Sequence, residues 1–250
     1  MLKKLLGGVF FAAAVSFAGE HGNAVRWGYS GPTGPQHWGD LSPKFIMCKI
    51  GKNQSPIDIN DADTVKACVK PPEFHYMADA LYVINNGHTI KVVTKGESYI
   101  VVDGRKFYLR QFHFHAPSEH TVNGVHYPFE VHFVHTDKYG NIAVVAVLFK
   151  EEDDDSDISL KTLWKYFPRK VGEKKTLPIK FNPASLLPEN REAYRYDGSL
   201  TTPPCSEGVR WFVLKIPMVI SEDIVRDFEG LMGGPNNRPV QPINARKVLK

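Results

Sequence analysis

From Ile142 to Phe149 the chain reads Ile-Ala-Val-Val-Ala-Val-Leu-Phe, apolar at every position. Successive side chains of a β-strand point to opposite faces, so this segment offers apolar groups on both. It suits a central strand that is covered on both sides. That requires a sheet with partners on either edge and an apolar layer above and below. Short β-rich segments broken by Gly and Pro supply the partners: Leu81–Asn85, Thr89–Thr94, Ser98–Asp103, Lys106–His115, Tyr127–His135 and Val209–Ile216. Helix is sparse, expected over Ser159–Phe167 and Ser221–Met232, where Ser221 can cap and Glu222 with Asp223 suit the first turn. No repeat or low-complexity linker divides the 250 residues, and all-β chains of this size often fold as one unit. The expected fold is mainly β (α/β by content), a single domain on a large, mostly antiparallel twisted sheet with short peripheral helices.

The first residues place that domain outside the cytoplasm. Lys3-Lys4, an apolar run from Leu5 to Phe17 and the small-x-small site Ser16-Phe17-Ala18 read as a signal peptide over residues 1–18, leaving 19–250 as the domain. The run is shorter than the roughly 20 apolar residues of a membrane span. A periplasmic or secreted protein with no stable span in its mature form is expected. The formal charge is +4, with basic residues scattered and no nucleic-acid motif, which argues against that partner. The acidic run Glu151–Asp157 reads as a solvated loop, since it lacks the Gly turn and distal Glu of a calcium loop. Export permits a disulfide among the three cysteines. Cys48 and Cys205, each in a Gly/Pro/Ser-rich stretch, are the expected pair, and Cys68 is left over.

Strand parity gives the chemistry. In Lys106–His115 the odd positions Phe107, Leu109, Gln111, His113 and His115 are expected on one face, with Tyr108, Arg110, Phe112 and Phe114 on the other. In the next segment Glu130, His132 and Val134 share a face, and Val131, Phe133 and His135 take the opposite one. His113, His115 and His132 can then meet as three nitrogen ligands with a fourth position open, the arrangement of a catalytic zinc. A ligand imidazole usually donates its other N–H to an oxygen, and Gln111 and Glu130 stand two residues from His113 and His132 for this purpose. His120, His126 and His135 read as structural, with His126 exposed beside the turn Val122-Asn-Gly-Val125. Three imidazoles favour Zn2+, which lowers the pKa of a bound water to about 7. His113, His115 and Glu119 also form a two-histidine, one-carboxylate set of the kind that binds iron. That set is similar to the first cupin motif, but Phe107 and His126 stand where cupins need Gly.

The segments Trp27-Gly-Tyr29, Asn53-Gln-Ser-Pro-Ile-Asp58, Asn85-Asn-Gly-His88, Gln111-Phe-His-Phe-His115, Ser118-Glu-His-Thr-Val122, Glu130-Val-His132, Ser199-Leu-Thr-Thr-Pro-Pro204 and Arg238-Pro-Val-Gln-Pro242 extend the pattern over most of the chain. Together they resemble the α-class carbonic anhydrases, in a bacterial, exported form. The resemblance implies zinc on His113, His115 and His132, supported by Gln111 and Glu130. It also implies a catalytic set of Thr201, Thr202 and Glu119, in which Thr201 donates to Glu119 and accepts from the hydroxide nucleophile. His88 matches the proton shuttle, with Tyr29 and Asn86 ordering water. Val134, Val144, Leu200 and Trp211 match the wall that holds CO2, with bicarbonate as the other partner. Anions and sulfonamides are the implied inhibitors, ester hydrolysis is an implied side activity, and a homodimer is left open. Cis peptides are implied at Ser55-Pro56 and Pro203-Pro204. A non-catalytic binding module of the same fold is the alternative, and loss of a zinc histidine would favour it.

Overall fold

The computed structural model describes residues 25–67, 70–152 and 158–250. The expected signal peptide, Cys68 and most of the acidic run (153–157) lie outside the described residues. The strands are β1 (Asp58–Ile59), β2 (Glu73–His75), β3 (Ala80–Asn85), β4 (Ile90–Thr94), β5 (Tyr99–Val102), β6 (Arg105–His115), β7 (Thr121–Val122), β8 (Val125–His126), β9 (Phe129–Thr136), β10 (Ile142–Glu151), β11 (Lys174–Thr176), β12 (Ala193–Ser199), β13 (Glu207–Leu214) and β14 (Met218–Ile220). The α-helices are short: α1 (Trp38–Leu41), α2 (Met47–Ile50), α3 (Ile158–Trp164) and α4 (Glu222–Met232). The main sheet runs β11-β3-β4-β6-β9-β10-β13-β12, with β2, β5 and β14 attached. Its pairs are antiparallel except β10 with β13 and with β14.

The all-apolar segment is β10, lying between β9 and β13 as its composition requires. Ala143, Val145, Val147 and Phe149 enter one apolar core, while Val144, Ala146 and Leu148 enter a second. The first core is larger and takes Leu160 and Leu163 of α3 together with Ile224, Val225 and Phe228 of α4. The second contains Ile57, Tyr196 and Trp211. It flanks the face on which the histidines stand.

Parity fails at one place in β6, and the failure has a structural cause. Against β9 the register runs Tyr108 to Thr136, Leu109 to His135, then Gln111 to Val134, so Arg110 is an extra residue. A bulge of this kind reverses the facing of everything beyond it. Phe107 and Leu109 therefore share the large core with Phe112 and Phe114, not the histidine face as expected. Arg110 is exposed, and its Nε donates to Thr136 Oγ1 at 2.6 Å.

Two smaller corrections concern single residues. Ser221 holds the N-cap position of α4, but its buried hydroxyl makes no cap bond. Cys48 lies on α2, not in an irregular loop, and is joined to Cys205 by a disulfide. The expected cis bonds at Ser55-Pro56 and Pro203-Pro204 are present, with a third at Ala116-Pro117. The turn Asn123-Gly124 has positive φ at both residues, the type I′ geometry that closes a two-residue hairpin between β7 and β8.

His135 faces away from His132, as parity requires, and is fully buried. Its Nε2 pairs with the Tyr76 hydroxyl at 2.7 Å, and Nδ1 lies 3.2 Å from the Ala143 carbonyl oxygen. Burial pushes its pKa down to about 3, against the bonds to backbone carbonyls that favour the cation. An unfolded histidine takes up a proton near pH 6.5, so the unfolded state binds more protons between about pH 6.5 and 3. Stability is complete above that window and falls with pH inside it. From this residue alone, the unfolding free energy should be about 2 kcal/mol lower at pH 5 than at pH 7.5. Urea unfolding of wild type and His135→Gln at the two pH values should show the gap narrowing by that amount, and equal gaps would refute the assignment.

Candidate active site

Two adjacent strands bring the three histidines together. His113 lies opposite His132, and His115 opposite Glu130, in the β6–β9 register. One ligand nitrogen from each of His113, His115 and His132 falls within 4.8 Å of the others. Each ring is held by its remaining nitrogen. His113 Nδ1 bonds Gln111 Oε1 at 2.9 Å, His115 Nδ1 bonds the Asn236 carbonyl oxygen at 2.8 Å, and His132 Nε2 bonds Glu130 Oε1 at 2.7 Å. These acceptors take the ring protons, so the lone pairs that converge are His113 Nε2, His115 Nε2 and His132 Nδ1.

Charge in the site is arranged for a cation. Burial holds the pKa of His113 well below the ordinary range, with help from His115 and His132, and burial also lowers that of His115. Both are neutral, the ligating form. For His132 burial acts in the same direction but is outweighed by Glu130 and then Glu119, so its pKa rises. Burial would raise the Glu130 carboxyl, but His120 and His132 overcome this and hold it well below the carboxylate range. His115 Nε2 and Glu119 Oε2 are buried acceptors without a hydrogen-bond partner, 3.6 Å apart. An unpaired buried acceptor costs about 1–3 kcal/mol. A divalent cation among these nitrogens would give the His115 lone pair its partner, so the donor set fits zinc.

The other residues named from the sequence surround this centre. Val134, Val144 and Trp211 form one cross-strand row beside the histidines, and Leu200 packs against the same core. Thr201 is buried and Thr202 half-buried on the segment after β12, which is held where Trp211 Nε1 donates to the Ser199 carbonyl oxygen at 3.0 Å. Glu119 Oε1 accepts from the Arg238 backbone N–H at 2.8 Å. The expected Thr201 bond to Glu119 Oε2 is not made in the structure, although both groups are buried. His88 is half-buried and stacks on Trp27, their ring centres 3.7 Å apart. Asn86 Oδ1 accepts from the backbone N–H of His88 and Thr89, each at 2.9 Å. Tyr29 is half-buried, and burial together with the Glu119 charge keeps its phenol protonated far above pH 10.

Sequence reasoning missed four contributors. His120, read as structural, bonds Glu130 Oε1 at 2.6 Å and the Tyr196 hydroxyl at 2.7 Å. Tyr196 continues to Ser55 Oγ at 2.9 Å, and Ser55 Oγ accepts from the Ser199 N–H. Asn236 accepts from His115 and also donates to the His88 and Phe114 carbonyl oxygens. Arg238 donates to Gln54 Oε1 and the Ser55 carbonyl oxygen while its backbone holds Glu119. Only the motif Arg238-Pro-Val-Gln-Pro242 pointed to this segment, which has no periodicity of its own.

Residues 33–250 match the family model described as eukaryotic-type carbonic anhydrase. The chain belongs to the carbonic anhydrase family. It is 40% identical over 236 residues to the carbonic anhydrase of Pectobacterium carotovorum, covering 94% of this chain and 95% of that one. It is also similar to the α-carbonic anhydrase of Thermovibrio ammonificans solved with the inhibitor sulfanilamide. The TM-score is 0.89 at 61% identity, over 91% of this chain and 100% of that one. Dioscorin, solved with ascorbate, shares the fold at 30% identity and TM-score 0.82, over 90% of this chain and 97% of that one. Membership of the carbonic anhydrase family displaces the cupin reading of His113, His115 and Glu119.

Gly198 shows how tightly the carbonic anhydrase site is supported. A Cβ there would stand 2.1 Å from Ser55 Oγ, 2.8 Å from Tyr196 and 3.0 Å from Trp211. Gly198→Ala should cost about 1–3 kcal/mol through overpacking, and thermal unfolding should register the loss. An unchanged midpoint would show that the Ser55–Ser199 contact is not rigid.

Proposed function

We propose that this enzyme interconverts CO2 and water with bicarbonate and a proton, using zinc held by His113 Nε2, His115 Nε2 and His132 Nδ1. The convergence of three imidazole lone pairs, each ring fixed through its other nitrogen, carries the reading. Zinc in such a set supplies a hydroxide nucleophile near neutral pH by lowering the pKa of a coordinated water to about 7.

The protein's part is to orient, exclude water and move a proton. Ionised Glu119 can only accept hydrogen bonds, and one oxygen is already taken by Arg238 N–H. The other has no partner in the structure and would take the Thr201 hydroxyl, whose own oxygen could then accept from the nucleophile and orient it toward the carbon. Thr202 continues the same segment and is half-buried. Val134, Val144, Leu200 and Trp211 give neutral, linear CO2 an apolar resting place. His88 takes the released proton, and its pKa is lowered by burial and then by Lys91, which eases release. Tyr29 and Asn86 serve to order water toward it.

Zinc on these nitrogens would take sulfonamides and small anions at its open position, consistent with the sulfanilamide complex of the Thermovibrio ammonificans protein. The lysine start and small-x-small site support export to the periplasm or beyond, with 19–250 as the mature domain. No helix among the described residues is long and apolar enough to cross a membrane. An intact histidine set weighs against a purely binding module of this fold.

Mature protein should contain one zinc per chain and hydrate CO2 in stopped-flow assays. Chelation or His132→Ala should remove both zinc and activity, and zinc-loaded protein without hydration would overturn the proposal. His88→Ala should lower kcat roughly tenfold or more in dilute buffer and recover with added imidazole. A variant with no deficit in dilute buffer would remove His88 from the shuttle role.

A further inference from the structure

One cation on the histidine face enters the scheme above only through its charge at His88. In the β4–β6 register Lys91 stands directly opposite His113, and His113 opposite His132. The same lateral row continues outward through Ile84 to Lys174 at the sheet edge. Paired residues of adjacent strands share a face, so the Lys91 side chain projects beside the first zinc histidine. Lys91 is half-buried. Among the described residues it makes no ion pair and no side-chain hydrogen bond. Glu130 on the same face is taken by His120 and His132, and no acid offsets the effect of burial at Lys91. The Lys91 charge is felt at His113 and at His88, lowering the pKa of each. Lys174 lies over the Tyr82 ring at 3.6 Å and keeps the outer end of the row cationic.

A partly desolvated ammonium without a counterion is an unusual thing to keep in a site whose neutral substrate makes no use of it. The other carbon species in the reaction is an anion. We infer that Lys91 is a specificity-determining residue for the anionic partner, attracting bicarbonate and competing small anions to the histidine centre while leaving CO2 unaffected. This rests on the carbonic anhydrase reading of the site.

Kinetics in both directions test it. Lys91→Gln removes the charge and leaves a polar side chain one atom shorter, whereas Lys91→Arg keeps the charge. In Lys91→Gln the KM for bicarbonate and the inhibition constant for thiocyanate should rise about fivefold, the scale of one charge at partial screening. The KM for CO2 should move less than twofold. The overall equilibrium cannot change, so kcat for dehydration should rise with the bicarbonate KM. Lys91→Arg should keep the wild-type constants. Titration of the cobalt-substituted proteins with thiocyanate, followed by visible absorption, should give the same ordering without turnover. In wild type alone, raising ionic strength with sodium sulfate should weaken bicarbonate more than CO2, a readout that needs no variant. If wild type works in both directions while the two Michaelis constants shift together in Lys91→Gln, or Gln and Arg behave alike, this inference fails by itself. A zinc-loaded wild type inactive in both directions would overturn the site reading and the inference with it.

Discussion

Everything at the centre of this molecule depends on how one buried carboxylate is satisfied. Glu130 accepts from His132 Nε2 and His120 Nδ1 on one oxygen, and from the backbone N–H groups of Glu119 and His120 on the other. Four donors make burial of the charge tolerable. Each bond also fixes something: the His132 tautomer, the His120 ring, and the path of the backbone that carries Glu119. Glu130 can sit there because β9 alternates, sending Glu130 and His132 to the site while Phe129, Val131 and Phe133 fill the large core. The fold and the chemistry meet in that alternation.

From Glu130 the order spreads outward by hydrogen bonds. His120, Tyr196, Ser55 and Ser199 link the ligand strand to the start of the segment that bears Thr201 and Thr202. Gly198 lets these groups approach by having no Cβ. The two sides of the pocket, nitrogens on β6 and β9 and hydroxyls after β12, are thereby tied together across β10 and β13, the two strands between them. Precision of this sort comes from supporting contacts rather than from the ligands alone.

Much of this was legible in the sequence, and the exceptions have physical reasons. β10 declared itself by being apolar on both faces, and His113, His115 and His132 by their spacing of two within alternating strands. The bulge at Arg110 was written in the chain as a change of phase, with apolar residues at 107 and 109 and then at 112 and 114, but simple parity carried the first phase through. β12, Ala193–Ser199, escaped because Arg195 and Asp197 interrupt its apolar pattern at positions that face outward. His120 and Asn236 lie in irregular backbone, where no period says which way a side chain points. Asn236 acts on a ring 121 residues away, and His120 joins Glu130, ten residues on, to Tyr196, 76 residues on.

The segment from Asn236 to Arg238 gives that last point a temporal meaning. His115 receives its acceptor from Asn236, 121 residues downstream, and Glu119 receives its donor from Arg238, 119 residues downstream. A chain emerging from its amino end therefore carries all three ligand histidines, with Gln111 and Glu130 beside two of them, long before it carries the acceptor that sets the His115 proton. The binding centre is among the last features of the molecule to become defined during synthesis. A ligand set whose His115 ring is fixed from so far downstream cannot be complete until that segment has been made.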